Sequence, residues 1–105
     1  MKYLKRFETV HTKPKVGDYV ICEEDEESTL SDIKLIINNN VGKVVSYDSN
    51  NKYQYDVLYD VDIPEKIESQ FIYGNQRQMK THEIIYWADN KEELEVILNA
   101  NKYNL

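Results

Sequence analysis

The chain has 105 residues, of which 41% are hydrophobic and 30% charged, enough for one core and too few for two. Three glycines and two prolines exclude a low-complexity chain, and a single cysteine, Cys22, excludes an internal disulfide and fits a reducing compartment. The net charge is −6, but Lys2, Lys5, Arg6, Lys13 and Lys15 against Glu8 give the first fifteen residues +4 and leave −10 on the rest, a balance that disfavours general nucleic-acid binding.

The opening "MKYLKRFETVHTKPK" has charge but no apolar core. It reads as a basic arm over residues 1–13 rather than a secretion signal, and a cytoplasmic setting is expected. No stretch approaches the roughly 18 apolar residues of a membrane span. "KVGDYVIC" then reads as a strand, punctuated by Pro14 and Gly17 and rich in strand formers, with apolar side chains on both faces. The run Glu23, Glu24, Asp25, Glu26 and Glu27 repels itself and predicts an exposed loop. In "STLSDIKLIINNN" the period changes. Leu30, Ile33 and Ile37 follow helical spacing, Ser28 or Thr29 suits the N-cap, and three asparagines end the run in left-handed backbone. A short helix near 29–38 is preferred; a strand through "KLII" is the rival.

"VGKVVSYDSNNKYQYDVLYD" predicts a hairpin around the turn cluster "DSNNK". In its second run Tyr53, Tyr55, Val57 and Tyr59 share one face, while Gln54, Asp56, Leu58 and Asp60 share the other. Pro64 starts a helical turn with Glu65 and Glu68 near its positive end. Phe71, Ile72 and Tyr73 read as a short strand stopped by Gly74, and strand character returns around Ile84–Trp87. The last segment is a helix near 90–101, opened by Asp89 with Glu92 or Asn90 with Glu93, and striped by Leu94, Ile97 and Leu98.

So arranged, "VGDYVIC", "VGKVVSYD", "YQYDVLYD" and a late "EIIYW" resemble the SH3-like small barrel in its KOW or Tudor-like variant, over roughly residues 14–100. The appended helix adds a likeness to small SH3-like proteins of phages and large DNA viruses. Ten asparagines, ten isoleucines and nine tyrosines agree with an AT-rich source. The expected fold class is mainly β with helices: a five-stranded SH3-like barrel spanning 14–105, a short helix inserted in the first long loop, and a C-terminal helix. Such a resemblance implies a binding module acting through loops and one barrel face.

The candidate binding residues are aromatic and acidic. Tyr47, Tyr53, Tyr55, Tyr59 and Trp87, with Asp56 and Asp60 nearby, suit a cation. The competing reading makes Tyr53, Tyr55 and Tyr59 the core face of a strand. The acidic run 23–27 suits a basic partner. His11, His82 and Cys22 are too few and too scattered for zinc, and no glycine-rich phosphate loop exists. No enzyme activity, metal or cofactor is expected. The function expected is a small interaction module, phage or viral, that binds a host or viral protein, one version being an acidic inhibitor of a nucleic-acid-handling or defence machine. The alternatives are a KOW- or Tudor-type module using Lys2, Lys5, Arg6, Lys13 and Lys15 on nucleic acid, and a structural virion component.

Overall fold

The computed structural model describes residues 13–24 and 30–103. Most of the basic arm and most of the acidic run, including Lys2, Lys5, Arg6, Asp25, Glu26 and Glu27, lie outside the described residues, as do Ser28 and Thr29.

Five antiparallel strands and three helices make up the described residues. In chain order they are β1 (Tyr19–Cys22), α1 (Ser31–Asn39), β2 (Gly42–Tyr47), β3 (Tyr55–Leu58), α2 (Glu65–Glu68), β4 (Gln76–Met79), β5 (Ile84–Ala88) and α3 (Lys91–Tyr103). The sheet runs β4-β3-β2-β1-β5. It is open. β4 and β5 are its two edges and share no ladder; a single 3-10 turn, Thr81–Glu83, joins them. The hydrogen-bonded cylinder expected from the sequence is therefore replaced by a sheet with two ends.

β1 carries apolar side chains on both faces because both faces are covered. Val20 and Cys22 belong to the larger core with Val44, Tyr55, Val57, Tyr59, Met79 and Trp87. Ile21 points the other way, into a second cluster with Ala88, Leu94 and Leu98 that α3 completes. α1 closes the larger core with Ile33 and Ile37, while Leu30 and Leu35 stay exposed. Its end differs from expectation. Asn40 has an extended backbone, and the asparagine side chains cap instead: Asn39 Nδ2 donates to the Leu35 carbonyl and Asn40 Nδ2 to that of Ile36, at 2.8 and 2.9 Å. Two carbonyls near the helix end thereby gain a side-chain donor, without a left-handed residue.

The hairpin forms as read, with the Asp48 carboxylate accepting from the Asn50 amide at 3.0 Å to hold the turn. Gly42 sits where a side chain has no room. A Cβ there would overlap Val57 Cγ1 and stand 3.0 Å from ring carbons of Tyr59. α3 begins as its sequence suggests, with Asn90 Oδ1 accepting from the Glu92 amide at 2.8 Å.

One strand moves. Phe71–Tyr73 forms only an isolated bridge from Ile72 to Gln76, and the fourth strand is the polar Gln76–Met79. The reason is backbone geometry: Tyr73 and Gly74 take φ of +55° and +82°, which ends any extended run and turns the chain back on itself.

Candidate functional site

The aromatic set nominated by the sequence divides. Tyr55, Tyr59 and Trp87 are buried in the larger core, so their faces pack rather than bind. The Tyr55 hydroxyl donates to the Pro14 carbonyl at 2.8 Å and anchors the start of the described chain. Tyr47 lies at the wet end of the hairpin, its ring centroid 4.8 Å from that of Tyr55. Lys13 donates to the Tyr47 hydroxyl at 2.9 Å and holds its ammonium 4.6 Å from the ring centre. Lys52 and Lys80 each stand 5.5 Å from the centre of Tyr53. The rings that reach solvent in this set are therefore met by cations of the same chain. Lys15, the other described residue of the basic set, is exposed beside the Gly17 turn.

The acidic run is equally divided. Glu23 is exposed, whereas the Glu24 side chain is only 2% accessible and pairs with Arg77 Nε at 3.0 Å. Arg77 also donates from Nη1 to the Gln70 carbonyl at 2.9 Å. One guanidinium thus ties the end of β1 to β4 and to the turn after α2, across the opening between the sheet edges. Above this pair lies a depression of about 160 Å³, lined also by Tyr53, Ile72 and the glutamines 70, 76 and 78. It is small and polar, of a size for one side chain rather than a cofactor. The sequence marks Arg77, in "RQMK", as a basic spot that balances nearby acids, but not its pairing with Glu24, 53 residues away.

Beneath the pair, Cys22 and Tyr59 are fully buried side by side, with Glu24 and Glu83 near enough to act on both. Burial first, and those carboxylates next, push the thiol from about 9 up to about 12, outweighing the opposing contact with Tyr59. Burial likewise raises Tyr55 from 10 to about 12 and Tyr59 well above its ordinary value. A thiol held protonated is a poor nucleophile. Native protein should therefore resist iodoacetamide at pH 8 and react at Cys22 once unfolded. Because the folded chain keeps protons that the unfolded chain loses, stability is full below about pH 9 and falls as pH rises towards 12. Urea midpoints measured from pH 8 to 12 test this; Cys22→Ala should delay the onset to the tyrosine range near 10. A midpoint unchanged to pH 11 would contradict it.

Among the described residues no cluster of three or more His, Cys, Asp or Glu side chains is placed to hold a metal ion. His82 is exposed in the 3-10 turn, while Glu83 is buried and accepts from the Lys80 amide at 2.7 Å.

The surface feature that the sequence did not signal is the turn after α2. Tyr73 is 87% exposed and sits at the tip of a loop fixed by a reciprocal backbone pair between Ile72 and Gln76, at 2.7 and 2.8 Å. Phe71 behind it is buried in the core. Val61 and Ile72 are also exposed, and a depression of about 300 Å³ runs beside Tyr73 between residues 61–63, Glu68 and Asn75. The arrangement is that of an exposed ring on a turn closed by backbone hydrogen bonds. Compared with known families and proteins, the chain matches no family model, no curated protein and no solved structure. The class that the fold defines is a small mixed α/β protein built on a five-stranded antiparallel sheet. No helix among the described residues is long and apolar enough to cross a membrane.

Proposed function

We propose that the protein is a small non-enzymatic module that binds a protein partner, built on an SH3-like plan whose fourth and fifth strands stand apart. The strand order supports the plan: a meander from β1 to β4, a one-turn 3-10 link, and a last strand returning beside β1. The observation that carries the binding role is Tyr73. A large aromatic side chain held in solvent on an ordered, left-handed turn gains nothing for folding, and tyrosines so placed are the usual anchors of protein interfaces. The fixed turn lowers the ordering cost of association. The acidic body adds selectivity for basic surfaces and against nucleic acid, which fits an inhibitor of a nucleic-acid-handling machine.

Affinity capture with the full chain, from the cell that makes it and after nuclease treatment, tests this reading. A protein retained in constant proportion is expected, and it should survive neutralisation of Glu23 and residues 25–27. Binding to bare RNA or DNA that weakens steeply with salt, and that vanishes when residues 1–13 are deleted, would replace this reading with the nucleic-acid one.

A further inference from the structure

Three of the tyrosines that reach solvent meet a cation of the same chain, whereas half-buried Tyr86 meets none among the described residues. Lys43 stands 5.7 Å from the ring centre of Tyr19, Lys13 4.6 Å from Tyr47, and Lys52 and Lys80 5.5 Å from Tyr53. Tyr73 departs from this pattern. It is the most exposed large apolar side chain among the described residues, yet none of them places a cation over its ring. Two carboxylates line the depression beside it. Glu68 Oε2 reaches within 3.4 Å of where a side chain on Gly74 would begin, and Asp62 lines the same depression. Residues 60–75 carry Asp60, Asp62, Glu65 and Glu68 against one cation, Lys66. Lys66 is turned away, paired with Asp32 of α1 at 3.0 Å. Neither Asp62 nor Glu68 has an ion-pair partner among the described residues.

From this we infer that the Tyr73 depression docks a cationic segment of the protein partner, with a lysine or arginine laid over the ring and its charge held by Glu68 and Asp62. The ring quadrupole and the carboxylates attract the same ligand charge, so the two contributions reinforce each other. Val61 and the half-buried Ile63, which line the depression, supply apolar surface for the stem of such a side chain. The carboxylates repel a phosphate backbone from the same place, which makes the partner a basic protein segment. This inference rests on the protein-binding reading and adds the site and the chemistry of the partner.

The probe is a capped peptide rich in arginine and lysine, titrated into the full isotope-labelled chain and followed by amide chemical shifts. Its control carries citrulline and acetyl-lysine in place of every cation. Shifts should concentrate at residues 61–63, 68 and 72–75, and the neutral control should give none. Tyr73→Asn keeps the turn, because asparagine tolerates left-handed backbone, and should weaken binding about tenfold. Tyr73→Phe keeps the ring and should bind within about twofold of the parent. Glu68→Gln should weaken binding severalfold, whereas Glu92→Gln, the same change of charge on α3, should leave it unaltered. Shifts spread evenly over the acidic surface, or equal affinity for Tyr73→Asn, would overturn the inference. So would an RNA oligomer that shifts the same amides, or a peptide-free spectrum in which deletion of residues 1–12 moves them, since the occupant would then be the chain's own arm. Should Tyr73→Asn still capture the cellular partner in full, the protein-binding role stands and this site is wrong.

Discussion

Gly42→Ala is expected to destabilise the protein by about 3 kcal/mol, read as a fall in the urea midpoint at constant slope. The added methyl meets Val57 Cγ1 and the Tyr59 ring, both fully buried, and the Gly42 backbone is fixed by its pairing with Val20. Neither neighbour has room to retreat in a close-packed interior. The mechanism has a signature. In Gly42→Ala combined with Val57→Ala, the overlapping atom is gone, so the double variant should be more stable than the two separate losses predict, by about 1 kcal/mol or more. A single Gly42→Ala variant within about 1 kcal/mol of the parent would show that the strand shifts to accept a side chain.

Arg77→Leu is expected to cost about 3–5 kcal/mol at neutral pH, because it strands the Glu24 carboxylate in a site that is 2% accessible. The loss is larger than any surface ion pair contributes, where about 0–1 kcal/mol is usual. Removing both charges together, with Glu24→Leu and Arg77→Leu, should recover much of it, since the carboxylate and its desolvation cost leave at once. Arg77→Lys should fall between, because one ammonium does not reproduce the forked geometry that serves Glu24 and the Gln70 carbonyl together. Chemical denaturation of the parent, Arg77→Leu, Glu24→Leu and the double variant measures the cycle, with Arg77→Lys beside it; an Arg77→Leu variant as stable as the parent would refute it.

Local patterns proved legible where they agree with local structure. The hairpin, the helix after residue 90 and the turn at Pro64 each have a period, a cap or a turn cluster close at hand. The fourth strand has none of these. "QRQM" is polar because the strand is an edge with one buried residue, Met79, and strand propensity says little about such a segment. "FIY" failed for the opposite reason: three good strand formers are overruled by a turn that needs positive φ at Tyr73 and Gly74. The candidate site shows the same divide. Period two put Tyr55, Val57 and Tyr59 on one face, but which face is dry depends on Val20, Val44 and Met79, contributed by other strands. A run of five acids reads as uniformly solvated, yet Glu24 turns inward because a guanidinium from a distant strand waits there. Tyr73 gave no signal at all, since nothing in its neighbours says that the ring points away from the molecule.

The shared wall between the two apolar clusters has a consequence for the boundaries of the fold. Val20 and Ile21 are adjacent in β1 yet belong to different interiors, and α3 is the lid of the second. A chain cut before Lys91 would keep all five strands but bare Ile21 and Ala88 on one side of the sheet. Oily surface of that kind seeks another copy of itself, so such a fragment would clump rather than persist as a smaller soluble sheet. The last helix is therefore an integral wall of the fold, closing one whole side of the sheet rather than decorating it.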